Sequence, residues 1–164
     1  MTEAKKPVGS GAGRRRTFAA GRSEQEYEHE VLDVARVVRV VKGGRRFSFR
    51  ASVVAGDRAG NVGFGLGRSR DVQTAIQKAY NQAAKNIVHI ELKKGTIAHR
   101  IAAKYKGARV LLQPARPGTG IIAGNTIRVV ADLAGVHDLV AKRFGSANKI
   151  SNIRAAIMAF RRLR

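Results

Sequence analysis

RVVRVVKGGRRFSFRASVVAGDRAGNVGFGLG, residues 36–67, decides the fold of this chain. The Val-rich run over 31–41, interspersed with Arg36 and Arg39, is β-prone and reaches a glycine turn at Lys42-Gly43-Gly44-Arg45. The next run alternates. Phe47, Phe49, Ala51, Val53 and Ala55 fall on one face, with Ser48, Arg50 and Ser52 on the other. Gly56-Asp57-Arg58-Ala59-Gly60 makes a second turn, and a third strand follows over 61–67 with Val62, Phe64 and Leu66 on one side. Gly63, Gly65 and Gly67 leave the opposite side as bare backbone, which permits close approach of an RNA backbone or of another protein segment, or simply eases twist and packing.

Working outward, Asp71 is placed to cap a helix. Apolar residues at Val72, Ala75, Ile76, Ala79, Tyr80, Ala83, Ala84 and Ile87 then repeat at intervals of three and four. Their many alanines allow the helix to lie close on a sheet, so residues 36–86 read as three antiparallel strands with one helix across a face. A polar break at Lys93-Lys94-Gly95 ends a strand-like segment over 87–92 and opens a second unit. There, β-prone stretches over 100–105 and 108–113, the latter stopped by Pro114, lead into the glycine-rich loop PGTGIIAGN at 117–125. A helix over 126–134 with Gly135 as its stop, a strand over 139–144 and a last helix started by Ser151 complete the chain. That helix is expected to bury Ile153, Ala156, Ile157 and Phe160 and to turn Arg154, Arg161 and Arg162 outward. The expected organisation is a disordered basic arm over 1–22, a first domain over 23–92 and a C-terminal α/β domain over 93–164.

Charge narrows the function classes. The 164 residues carry 32 Lys and Arg against 11 Asp and Glu, a formal charge of +21. An apolar content of 44% argues against a disordered polycation, and a folded protein so basic is expected to bind a polyanion, because counterion release drives such association. Nucleic acid leads and an anionic membrane follows. No apolar run approaches the roughly 20 residues that span a bilayer, and residues 1–22 lack the apolar centre of a secretory signal, so a soluble protein without a membrane partner is expected. Without Cys there is no disulfide, zinc knuckle or thiol nucleophile. His29, His89, His99 and His137 are scattered without metal-ligand spacing, so neither metal nor cofactor is expected. The acidic SEQEYEHE at 23–30 reads as a solvated lead-in to the fold, or as a face for a basic partner or for the chain's own arm.

The candidate binding residues cluster in the first hairpin. Arg36, Arg39, Lys42, Arg45 and Arg46 surround Gly43-Gly44, where glycine lets backbone N–H groups approach phosphate and guanidiniums add charge and bidentate bonds. The bland alternative is a turn whose cations protect a sheet edge. The glycines at 60, 63, 65 and 67 match no nucleotide fingerprint, since they lie inside an alternating strand. Gly118, Thr119 and Gly120 precede a helix and could form a nest of donors for an anion. That nest reads as a turn with an RNA phosphate at its mouth, or as the phosphate site of a small basic enzyme. Aromatic residues make up only 5%, so shape and phosphate contacts are expected to lead over base stacking.

Five strings settle between these readings: VVKGGRRFSF (40–49), GDRAGNVGFGLG (56–67), AIQKA (75–79), QPARPGTGIIAG (113–124) and LAGVHDLVAKRFGSANKISNIRA (133–155). In this order they closely resemble the bacterial S-five family of the small ribosomal subunit, over residues 31–163. The resemblance implies an α+β architecture, with a β-β-β-α domain similar to the double-stranded-RNA-binding fold and then a small α/β domain with a left-handed β-α-β crossover, an exception to the usual hand. It implies a cytoplasmic, non-enzymatic constituent of the small subunit that binds small-subunit rRNA and contacts ribosomal proteins S-four and S-eight. It also implies a place near mRNA at the entry channel and a part in head–body arrangement and translational accuracy. The family's RNA-reaching hairpin corresponds to residues 36–47, with Lys42, Gly43, Gly44, Arg45 and Arg46 the firmest matches, and Arg68 resembles a basic position in the same motif. Asn148-Lys149-Ile150 departs from the family's usual Asn-Pro-Ile, which leaves the entry to the last helix less rigid, and 99–107 match weakly.

Overall fold

The alternation over 36–67 folds into three neighbouring strands of one antiparallel sheet. The computed structural model describes residues 27–163, so the basic arm expected at 1–22 lies outside the described residues. Strand β1 (Glu28–Val41) pairs with β2 (Gly44–Gly56), β2 with β3 (Asn61–Ser69), and β3 with the short β4 (Ile87–His89). β1 is longer than the Val run alone: Glu28, His29 and Glu30 of the acidic stretch lie opposite Gly56, Ala55 and Val54. Glu28 also meets Arg58 at 3.0 Å, so this part of the stretch is built into the sheet.

Helix α1 (Val72–Lys85) starts on Asp71, whose carboxylate accepts from the Thr74 N–H at 3.2 Å. It covers the sheet face that carries Ala51 and Val53. Ala75, Ala79 and Ala83 recur at every fourth helical residue and face Gly67, Gly65 and Gly63 at every second residue of β3. Four helical residues advance about 6 Å and two strand residues about 6.7 Å, so the three contacts stay in register. A Cβ on any of these glycines would collide with the carbonyl oxygen of the facing alanine. The bare side of β3 is therefore filled by the protein's own helix, which decides between the two occupants left open above.

Downstream, the segment expected as one strand over 87–92 divides. Ile90 turns into the core, its N–H donating to the Gly60 carbonyl at 2.7 Å, and Leu92 moves to a separate hairpin of β5 (Leu92–Lys93) and β6 (Thr96–Ile97). The second sheet holds β7 (Ile101–Tyr105), β8 (Ala108–Pro114), β9 (Ile121–Ile122) and β10 (Leu139–Gly145) in the order β7-β8-β10-β9. β9 lies inside the glycine-rich loop and runs parallel to β10, with helix α2 (Asn125–Leu133) crossing between them.

Helix α3 (Lys149–Arg161) begins two residues before Ser151. Asn148 caps it, its Oδ1 accepting from the Ile150 N–H at 3.0 Å, and Ser151 is buried in the first turn. Lys149, at the position where the resemblance implies proline, reaches Asp33 at 2.8 Å and ties this entry to β1. Ile153, Ala156 and Phe160 are buried, Ile157 is half-buried, and Arg154, Arg161 and Arg162 face outward.

Helices α2 and α3 fill the space between the two sheets. Val54, Val62 and Phe64 of the first sheet, Ile127, Val130, Ile153 and Phe160 of the helices, and Val110, Leu112 and Leu139 of the second sheet form one continuous core. The layers therefore run α1, first sheet, α2 with α3, second sheet. A backbone latch locks them together: Leu133 and Ala134, at the end of α2, accept from the N–H groups of Arg58 and Gly60, each at 3.0 Å. These bonds satisfy carbonyls that a helix end leaves unpaired. Gly135 follows at φ +80°, where a Cβ would strike the Arg58 carbonyl.

Candidate nucleic-acid interface

β3 ends at Ser69, opposite Phe49, while β1 and β2 continue to their turn at Lys42-Gly43. The tip therefore protrudes as a two-stranded ribbon, and β2 over 44–48 has no strand on its outer side among the described residues. Strand alternation sorts the ribbon's side chains onto two faces. Arg39 lies opposite Arg46 and Arg50 opposite Arg68, so these four guanidiniums share one face with Ser48, whose Oγ accepts from Arg68 Nε at 2.8 Å. Arg36, Val38, Val40, Arg45 and Phe47 occupy the other. At the turn, Gly43 has φ +87°, and neither it nor Gly44 has anything within 4 Å of the position of a Cβ, so this backbone is open to a close-approaching ligand.

Beside the free edge of β2 lies an open groove of about 490 Å³. Arg39, Arg46, Arg68, Arg70 and Lys78 line it with Phe47, Ser48 and Ser69, and no carboxylate is among them. Five like charges around one groove sustain a strong positive potential that draws in an anion. Two of the five, Arg70 and Lys78, are not among the candidates that the sequence marks. Arg70 lies just past the end of β3, and Lys78 on α1 is next to Ala79, whose contact with Gly65 sets which side of the helix meets the sheet. Of the residues read from sequence, Arg39, Arg46 and Arg68 line the groove, and Arg36, Lys42, Gly43, Gly44 and Arg45 surround the tip.

Gly118, Thr119 and Gly120 belong instead to the connection between β8 and β9. Here the loop's donors are used internally. The Thr119 N–H donates to the Arg116 carbonyl at 3.1 Å, and the Gly120 N–H to Asp138 Oδ1 at 2.8 Å. Asp138 is buried, so a carboxylate of the chain itself takes the position at Gly120 that an external anion would need. Among the described residues no three His, Asp or Glu side chains gather as a metal site, and no helix is long and apolar enough to cross a membrane.

A cationic ribbon rooted in a packed body has the electrostatics that suit a polyanion. Comparison with known proteins makes the class specific: the family profile for the N-terminal domain of ribosomal protein S5 matches residues 27–91, and that for its C-terminal domain matches 103–164. Small ribosomal subunit protein uS5 of Campylobacter jejuni, in strains 81-176 and RM1221, is 46% identical over 142 residues, covering 87% of this chain and 97% of the relative. The chain belongs to the ribosomal protein S5 family. It has that family's two-domain α+β architecture and is a structural, non-enzymatic protein of the small ribosomal subunit.

Proposed function

We propose that this chain clamps small-subunit rRNA, within the cytoplasmic small subunit, through the β1–β2 tip and the groove beside it. The observation that carries the reading is the groove itself: five cations along a free strand edge with no carboxylate among its lining residues. Arg39, Arg46 and Arg68 offer planar forks to phosphate oxygens, Arg36, Lys42 and Arg45 add charge around them, and Gly43 and Gly44 let the RNA backbone close on the turn. A ribbon already fixed by its ladder loses little entropy on binding. Gly118 and Thr119, exposed beside Arg116, make a smaller second contact, with Gly120 holding the loop through Asp138.

Residues 23–92 act in this reading as the RNA-facing domain and 93–164 as the protein-facing one. The outer face of the second sheet, where Ile122, Val140 and Phe144 stand exposed near Lys104, Arg109 and Lys142, receives ribosomal proteins S-four and S-eight. Through these joints the protein steadies the head–body arrangement near the mRNA entry channel and so contributes to translational accuracy. The test is Arg45→Ala with Arg46→Ala, measured as RNA affinity against salt concentration: the logarithmic slope should flatten by up to about two counterions. An unchanged slope removes the ribbon from the contact surface. Co-sedimentation of the intact protein with small subunits through a high-salt gradient checks the assembly itself.

A further inference from the structure

Phe47 stands where the two chemistries of the ribbon meet. Its ring lines the cationic groove, and Arg36 lays its guanidinium over that ring at 3.9 Å from the centroid. Phe47 remains 46% exposed, Val38 beside it is exposed as well, and α1 covers this sheet face only as far as Phe49 and Ile76. A half-exposed phenyl ring on a protruding ribbon forgoes hydrophobic burial, and protection of a strand edge would be served better by another charge. A guanidinium stacked on an aromatic ring, however, turns a flat and weakly hydrated cationic surface outward. That surface suits the face of a nucleobase, and a phosphate seated in the groove brings its own base close to Phe47.

We infer that Arg36 and Phe47 form a stacking platform for one unpaired nucleobase of the bound RNA. This rests on the RNA-clamping reading above and adds a base contact to a phosphate site. Bases inside an A-form helix have both faces covered by their neighbours, so the platform selects a bulged or looped nucleotide next to a duplex. Val38 and Val40 provide an apolar flank for that base, and Arg45, opposite Val40, holds the phosphate on its far side.

Two RNA hairpins matched in phosphate number test this with the full chain. One carries a single bulged 2-aminopurine, and in the other that nucleotide is base-paired. The wild-type protein should bind the bulged RNA about tenfold more tightly and quench its fluorescence on binding. Phe47→Leu should abolish both the preference and the quench without changing the salt slope, whereas Phe47→Tyr, which keeps the ring, should retain the preference. Arg39→Ala with Arg46→Ala should weaken both RNAs alike and preserve their ratio. Equal binding of the two RNAs by the wild type, or a preference that survives Phe47→Leu, overturns the platform and leaves the clamp standing. Failure of both RNAs to bind the wild type at low salt overturns the clamp, and the platform with it.

Discussion

The root and the tip of the β1–β2 hairpin are made from the same two strands and differ in everything else. At the root, Ala51 to Gly56 are buried without exception, between α1 on one side and the shared core on the other. At the tip, beyond Phe49, both faces are open and the side chains are chiefly Arg, Val and Phe. A strand buried on both faces carries small side chains that are apolar or, like Ser52 with its hydroxyl donated to the Asp33 carbonyl at 3.2 Å, hydrogen-bonded within the sheet, whereas a strand exposed on both is free to carry function. One hairpin thus holds two separable properties, with fold stability at its base and recognition at its end. Substitutions at the root should cost folding, and those at the tip should cost binding alone.

The largest effect expected from breaking this division is at Gly65, which lies on β3 directly opposite Val53 of the root. Its Cβ would collide with the Ala79 carbonyl, so Gly65→Ala must push α1 off the sheet along its length. The cost should be about 3 kcal/mol, a fall in Tm of about 10 °C for a chain of this size. Gly135→Ala comes next, because it meets the Arg58 carbonyl at a positive φ and so strains the latch between the two units; a loss of about 2 kcal/mol is expected by urea denaturation. Gly44→Ala, at the tip with nothing within 4 Å, should leave stability within about 0.5 kcal/mol and reduce only RNA affinity. Equal destabilisation at Gly44 and Gly65 would abolish the distinction between root and tip.

The same contrast explains what was legible in the sequence. Alternation over 47–55, the helical repeat from Val72 to Ala84 and the basic cluster at the tip are local patterns, and each is found where it was expected, whereas Ile87, the last member of that repeat, lies past the end of α1 and starts β4 because it pairs with Gly63 of β3. The glycine face of β3 was visible as a face but not as a contact, because the choice between RNA and helix depends on matching a period of two in β3 with a period of four in α1. Those periods were present in Gly63, Gly65 and Gly67 and in Ala75, Ala79 and Ala83, so the signal existed but had to be compared across elements. β9 has only two residues and owes its existence to Leu139 and Val140, far along the chain, so no local pattern could mark it. Asp138 is 18 residues from the Gly120 amide it occupies. Arg70 and Lys78 enter the groove only once α1 is folded back on the sheet. For the final helix, Asn148 was available as a cap, and reading Ser151 as the start overlooked it.

The smallest effect expected is a pH dependence at the turn that closes the root. Burial of the Asp57 carboxyl raises its pKa, but hydrogen bonds from the Asn61 side chain and from the N–H groups of Ala59 and Asn61 outweigh this and hold it below its ordinary value of 3.8. The carboxylate form is thus favoured more in the folded chain than in the unfolded one. The stability it contributes is complete above 3.8 and is lost as pH falls through the depressed folded value. Asp57→Asn keeps an oxygen for the two backbone donors at 2.8 and 3.0 Å but has no second carboxylate oxygen for the Asn61 amide. Urea midpoints followed from pH about 6 down to about 3 should therefore fall less steeply for Asp57→Asn than for the wild type, with the curves parallel above pH about 5. Curves parallel through the acid range would mean that the Asp57 carboxylate adds nothing and that the backbone bonds of the turn, to Asn61, Ile90, Leu133 and Ala134, suffice to hold it.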